Sequence, residues 1–176
     1  FENQAIEWQH YPVTSNKVDQ WHLSTAENHS VNGANSWKCG AVSGDYSTSL
    51  YAALEMPATT LPAGARLTFW HKMQAESSSN PGYAWDGGIV EISTDSLNYT
   101  QITPESGYPY LAEDNIYNPL EPETPLYSGT FDWEQAVFDL TDYADSTVWI
   151  RFVFVSDLYV NEEGWFIDDV AIATAL

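Results

Sequence analysis

The chain has 176 residues, of which 44% are hydrophobic, and this is enough for one domain with a substantial core. Asp and Glu number 25 against 5 Lys and Arg, which gives a formal net charge of -20 at pH 7. Nucleic acids and anionic membrane surfaces both require basic patches on the protein, so this charge argues against either as a partner.

The cysteine count and the two ends of the chain restrict its class further. Cys39 is the only cysteine, which excludes an internal disulfide and a thiolate metal cluster. No apolar run is long enough to predict a membrane span, and no basic-then-apolar leader opens the chain. Because the sequence starts at Phe1-Glu2 without a methionine, we expect a single domain over 1–176 that has been excised from a larger protein.

Short runs rich in β-branched and aromatic residues recur along the chain, separated by clusters of Gly, Pro, Asn, Asp and Ser. No apolar stripe with helical spacing persists for three turns. The pattern predicts eight to ten strands and an all-β fold, an antiparallel β-sandwich of the jelly-roll kind. In chain order, the predicted strands cover 5–11, 21–25, 36–40, 49–56, 65–73, 88–94, 99–102, 133–140, 147–155 and 165–173.

Two segments interrupt the strand pattern and hold the candidate ligand-binding rings. The segment 74–87 (QAESSSNPGYAWDG) is predicted to be a polar loop with Tyr83 and Trp85 at its tip. The segment 103–132 is rich in proline and tyrosine and shows no strand pattern, which is typical of a functional loop. Exposed rings give sugars a flat apolar platform, although the same rings would also serve to fasten a long loop to the sandwich. The tyrosines of this second loop are Tyr108, Tyr110, Tyr117 and Tyr127, whereas Trp70, Trp133, Trp149 and Trp165 are predicted to lie in the core.

Catalytic motifs are absent from the sequence. None of the four histidines stands in a nucleophile motif, and there is no H-E-x-x-H and no phosphate-binding glycine loop. Paired carboxylates for glycoside hydrolysis stay open because 25 acids guarantee some close pairs. The sequence therefore favours a protein that is not an enzyme.

Two adjacent acids interrupt the apolar stretch G-W-F-I-D-D-V-A-I at 164–172. In a regular strand Ile167 and Asp169 would share one face, and Asp168 and Val170 the other. A β-bulge at the pair would let Ile167 and Val170 both reach the core, and it would turn a carboxylate and nearby carbonyls toward one point. Such oxygen clusters suit a hard cation such as Ca²⁺, and the alternative is a carboxylate that accepts backbone N–H groups of a neighbouring loop.

Several motifs together resemble the MAM-type jelly roll. They are the Phe1-Glu2 opening, A-R-L-T-F-W-H-K-M at 65–73, I-R-F-V-F-V-S-D at 150–157 and the terminal G-W-F-I-D-D-V-A-I. With W-D-G-G-I-V-E-I-S-T-D at 85–95 and F-D-L-T-D-Y-A at 138–144, the order is similar to that of the MAM-like domain attached to secreted bacterial metallopeptidases of the immune inhibitor A kind. Calcium-containing carbohydrate-binding jelly rolls share the opening and the ending.

The resemblance implies one structural cation, Ca²⁺, that joins the first and last strands. Glu2 matches the acid of the opening and Asp169 the second acid of the ending, with Asp168 beside it. Asn28-His29-Ser30 is similar to an Asp-His-Thr segment of MAM domains. Asn28 is a neutral ligand there, and Glu27 is the possible substitute. MAM domains carry cysteines that this chain lacks, which favours a bacterial relative.

The resemblance leaves three functions to distinguish. The first is an accessory module, secreted or at the cell surface, that binds carbohydrate or protein surfaces. The second is a structural domain that packs against a peptidase or other domains of the parent chain. The third is a hydrolase or lyase built on a jelly roll.

Overall fold

A computed structural model describes residues 7–174, which form β-sheets joined by loops. A 3-10 turn lies at Thr141–Tyr143, and no helix among the described residues has the length and apolar character needed to cross a bilayer. The predicted all-β antiparallel sandwich is confirmed. All ten predicted strands are present, and four further strands are only two or three residues long.

Two large sheets form the layers of the sandwich. Sheet I has the order β1-β4-β13-β8-β9, with β5 also paired to β13. Its strands are β1 (Gln9–Pro12), β4 (Tyr51–Glu55), β5 (Thr59–Thr60), β8 (Gly87–Ser93), β9 (Thr100–Ile102) and β13 (Thr147–Val155). Sheet II has the order β12-β6-β14-β3-β2. Its strands are β2 (Trp21–Ser24), β3 (Ser36–Cys39), β6 (Ala65–Ala75), β12 (Gly129–Asp139) and β14 (Gly164–Thr174).

The core fills the space between sheets I and II. Strand β6 alternates strictly between buried and half-buried positions, so that Phe69 points inward while Trp70 points away. Phe69 meets Phe152 of sheet I edge to face, with 4.9 Å between the ring centroids. Trp165 of β14 is completely buried in the same core and donates its indole N–H to Nδ1 of His71 at 3.2 Å. Burial lowers the pKa of His71 to about 3, so this histidine is a neutral core residue.

The core prediction is correct for one of the four tryptophans. Trp165 is buried, whereas Trp70, Trp133 and Trp149 are only half-buried. Trp70 and Trp149 each stand between two buried strand neighbours, and alternation therefore places them on the outer faces of their sheets. Trp133 lies within the irregularity of β12 between Phe131 and Glu134. Aromatic content identified these segments as strands, but only the alternation within each strand determines the face.

The segment 103–132 is not free of strands, contrary to the prediction. It holds β10 (Tyr110–Ala112) and β11 (Pro125–Leu126), which join β7 (Tyr83–Ala84) in a small sheet III. Ala112 and Leu126 of this sheet pack on Val153 and Val155, on the outer face of sheet I. The strands are too short to show alternation. Sheet III explains why β13 is apolar on both faces.

Candidate functional site

The acid pair lies at a bulge in β14, as the sequence predicts. The register between β14 and β6 shifts between Asp168 and Ala171, and Asp169 has a positive φ of 48°. As a result Ile167 is completely buried and Val170 also packs against the core. The bulge resolves the conflict between two consecutive acids and the apolar set around them.

Asp168 is completely buried, and it accepts hydrogen bonds from three backbone N–H groups. The N–H groups of His29 and Ser30 donate to its Oδ2 at 2.9 and 3.3 Å, and the N–H of Asp169 donates to its Oδ1 at 2.8 Å. Three such bonds satisfy a buried carboxylate. The sequence allows two interpretations of the acid pair, a cation site and a carboxylate that accepts N–H groups of a neighbouring loop. The second describes Asp168.

Asp169 faces the same loop from the exposed side. Its Oδ2 lies 2.7 Å from Nδ1 of His29, and the hydroxyl of Ser30 donates to its Oδ1. Burial alone would raise the pKa of Asp169, but the hydrogen bonds from His29 and Ser30 outweigh it and lower that pKa. The imidazole of His29 stacks on Trp70 with 3.9 Å between the centroids. The segment 28–30 therefore adjoins the acid pair, as the resemblance implies.

The residues around this pair fit a hard cation in part. Oδ1 of Asn28 is buried and has no hydrogen-bond partner among the described residues, which suits an oxygen that would coordinate a cation. Glu27 instead forms an ion pair with Lys72 at 2.9 Å, so one of its oxygens is already occupied. Glu2 lies outside the described residues. Calcium at this position stays a prediction.

A second group of acids was not recognised in the sequence. Glu76 follows β6, Asp86 lies between β7 and β8, and Asp157 follows β13. One carboxylate oxygen from each comes within 4.8 Å of the other two, an arrangement that can receive a cation. The strand pattern places each residue at a strand end, but only the pairing of the sheets brings those ends together.

Asp86 is completely buried at the back of this group. It accepts the N–H of Asp157 at 2.7 Å and the hydroxyl of Tyr46 at 2.8 Å. Burial, with smaller contributions from the charges of Asp157 and Glu76, raises the pKa of Asp86 to about 8. Burial and the charge of Asp157 also raise the pKa of Glu76, whose Oε2 is buried and has no hydrogen-bond partner in the described structure. Burial therefore favours the protonated form of Asp86.

A cavity of about 460 Å³ opens in front of these acids. Trp85, Tyr117 and Tyr159 give it aromatic walls, and Glu76, Asp114, Asn115 and Asp157 supply polar atoms. The Asn118 side-chain amide fixes Trp85 by donating to its carbonyl at 2.6 Å. Asp157 is fixed by the Asn115 amide at 2.7 Å and by the N–H of Tyr159 at 2.8 Å. Residues from three separate loops are thus held around one opening.

Large apolar side chains are exposed around the mouth of this cavity. Tyr159 is 67% exposed and Ile116 is 88% exposed, and the rings of Tyr117 and Tyr159 lie 6.3 Å apart. Leu158 and Val160 are also exposed on the same loop as Tyr159. A concentration of exposed apolar side chains around a concave opening is typical of a binding surface.

The predicted ligand-binding rings have different positions. Trp85 and Tyr117 line the cavity. Tyr127 is only 3% exposed in the core, so the prediction that its ring is an exposed platform is wrong. Tyr108 is half-buried and packs against Tyr127 edge to face. Tyr83 and Tyr110 are half-buried in sheet III. Tyr159, which the sequence analysis did not select, follows a strand in a short acidic loop that lacks proline clusters.

The fold is a jelly-roll-like β-sandwich, and adhesin domains and carbohydrate-binding modules are among the solved structures similar to it. No family model and no curated protein matches the chain. The K1 cleaved adhesin domain of Lys-gingipain from Porphyromonas gingivalis W83 is similar in structure, with a TM-score of 0.54, 16% identity, and coverage of 97% of this chain and 92% of that one. The module TmCBM61, solved in complex with β-1,4-galactotriose, gives a TM-score of 0.53, 13% identity, and coverage of 98% and 91%. At these identities the likeness shows the fold.

Proposed function

We propose that this chain is a non-catalytic binding module of a secreted or cell-surface protein, and that it attaches that protein to carbohydrate. The observation that carries the proposal is the cavity walled by the aromatic rings of Trp85, Tyr117 and Tyr159. Sugar rings have apolar faces that stack on aromatic side chains, and hydroxyl groups at their edges that need acceptors and donors. The carboxylates of Glu76 and Asp114 supply hydrogen-bond acceptors within the same opening.

The arrangement of the acids favours binding over hydrolysis. Glu76 and Asp157 lie near the spacing of a retaining glycosidase, in which one carboxylate must attack the sugar carbon. Asp157 is only 3% exposed, and both of its oxygens accept hydrogen bonds from the loops. A carboxylate held in this way orders the cavity walls and has little access to a substrate.

Removal of the Trp85 ring is expected to weaken carbohydrate binding strongly. The wild-type chain and the Trp85→Ala variant are to be compared on a glycan array and by affinity electrophoresis in polysaccharide gels. Loss of one stacking ring reduces affinity by about tenfold or more, since an aromatic contact contributes about 0.5–1.5 kcal/mol beyond its buried area. Tyr159→Ala is expected to weaken the same interactions with little effect on folding, because the ring is 67% exposed.

Trp149→Ala is the control for Trp85→Ala, because Trp149 is also half-buried but lies near the start of β13, at the end of that strand opposite to Asp157. It should bind like the wild type. A wild-type chain that binds no glycan, or a Trp85→Ala variant with unchanged binding, would contradict the proposal.

The exposed rim also favours a second candidate, a domain that docks onto another domain of the parent chain. Ile116 and Val160 offer apolar surface for which a sugar has no need. In that case the paired variant Ile116→Ser and Val160→Ser would abolish association with the parent protein while glycan arrays stay negative. Retained glycan binding by this variant would favour the carbohydrate function.

A structural Ca²⁺ is proposed to hold the two ends of the sandwich through Asp169 and Asn28 together with Glu2. Millimolar Ca²⁺ should raise the melting temperature by about 5–10 °C over an EGTA-treated sample, which corresponds to about 2.7 kcal/mol at a hundredfold excess over the dissociation constant. The Asp169→Asn variant should lose this response. Asp142→Asn, which changes an exposed acid of the 3-10 turn, should keep it. Identical melting curves of the wild type in EGTA and Ca²⁺ would refute the proposal.

A further inference from the structure

We infer that the cavity between Trp85, Tyr117 and Tyr159 selects oligosaccharides that carry free amino groups over neutral or acidic ones. This inference rests on the proposed carbohydrate function and adds the chemical class of the ligand. Its basis is the combination of aromatic walls with carboxylates in one partly enclosed opening.

The charges that face the cavity are almost all negative. Glu76, Asp114 and Asp157 line it, and no Lys, Arg or His of the described residues does. Glu162 acts on Glu76 from the loop after β13 and adds to the same sign. One cation lies at the rim, since Nζ of Lys17 donates to the carbonyl of Tyr117 at 3.3 Å. An acidic sugar entering here would meet repulsion from several carboxylates and attraction from a single lysine.

The two kinds of wall suit an ammonium group on a sugar ring. The faces of Trp and Tyr attract cations as well as apolar sugar faces. The same aromatic wall can therefore contact both the ring of an amino sugar and its ammonium group. Asp114 is exposed at the opening, where an incoming ammonium reaches it first. Glu76 lies deeper, and its Oε2 has no donor among the residues of the structure. A positive ligand would relieve this concentration of negative charge, whereas a neutral ligand would not.

Asp86 does not line the cavity. It lies behind Glu76 and Asp157, and its two oxygens accept the hydroxyl of Tyr46 and the N–H of Asp157. The carboxylates that line the cavity are therefore the ones that a ligand charge would balance.

The test compares β-1,4-linked glucosamine oligomers with their N-acetylated and uronic acid counterparts of equal length, by calorimetric titration in EGTA. At about pH 6 the amino groups are protonated. The glucosamine oligomer is expected to bind about tenfold more tightly than the acetylated one at low salt, and this preference should shrink as salt approaches about 0.5 M because screening weakens it. Asp114→Asn should reduce the preference about threefold, since one of the lining carboxylates is removed.

Asp142→Asn is the matched control. It makes the same exposed substitution and the same change in net charge, but it lies before the first residue of β13, at the end of that strand opposite to Asp157. Its preference should equal that of the wild type.

The possible outcomes separate this inference from the function on which it rests. Equal binding of the amino and acetylated oligomers, lost in Trp85→Ala, would overturn the inference and leave the carbohydrate function intact. Binding that requires Ca²⁺ irrespective of the amino group would overturn it and assign the acids to a metal. Stronger binding of a lysine-rich peptide than of glucosamine oligomers would overturn it in favour of a protein partner. No binding to any of these three oligomers would overturn the inference, and a negative glycan array in addition would overturn the carbohydrate function as well.

Discussion

Gly164→Ala is expected to lower the free energy of unfolding by about 4 kcal/mol, which shifts the melting temperature by about 8–16 °C for a chain of this size. Gly164 starts β14 with a φ of +109°, and a Cβ built there would stand 2.0 Å from the carbonyl oxygen of Cys39. The substitution therefore combines backbone strain with a steric clash against a fixed backbone atom. Neither can be relieved by rotating a side chain.

Gly44→Ala separates these two contributions. Gly44 has a nearly equal φ of +103°, but a Cβ there meets no atom within 4 Å. This variant should lose only about 1–2 kcal/mol, which represents the strain of the left-handed backbone alone. Both values are to be measured by urea denaturation with the unfolding slope compared between variants. Equal losses in the two variants would show that the approach of β14 to Cys39 contributes little.

The acid pair shows how far periodicity alone can lead. The conflict between Asp168, Asp169 and their apolar neighbours predicts a bulge, and the structure has one. Periodicity also predicts that an acid will meet a neighbouring loop, but it does not say which acid takes which partner. That choice depends on the loop at 28–30, which approaches from a distant part of the chain.

The cavity illustrates where the sequence stops being informative. Trp85 and Tyr117 could be predicted as ligand-binding rings because they lie in polar or proline-rich segments. Such segments offer a large ring no position in the core. Asp86 and Asp157 give no such signal, because each follows a strand end in a chain with many acids. Their proximity depends on strand order, since β6, β8 and β13 belong to two different sheets that converge at this end. Tyr127 was misassigned for the related reason that its isolated bridge to Gly88 has no period to detect.

Asp86 is expected to make the protein less stable as the pH rises from about 4 to about 8. In the folded chain burial raises its pKa to about 8, whereas the unfolded value is near 4. Between these values the folded chain keeps a proton that the unfolded chain has released, so unfolding releases protons. The contribution of Asp86 to the free energy of unfolding is therefore fully present below about pH 4. Above that pH it decreases by up to about 1.4 kcal/mol for each pH unit. Across the whole interval this amounts to at most about 5 kcal/mol.

Asp86→Asn should remove this dependence, because the amide is neutral at every pH and can still accept the N–H of Asp157. In EGTA the variant should match the wild type near pH 4 and exceed its melting temperature by several degrees near pH 8. Asp142→Asn, at an exposed position, should follow the wild-type curve. A wild-type chain more stable at pH 8 than at pH 5 in EGTA would mean that Asp86 is ionised in the folded state. The wild type is expected to be less stable than Asp86→Asn near pH 8 because a buried, ionised carboxylate beside two others requires a positive partner. The described residues supply hydrogen-bond donors there but no cation.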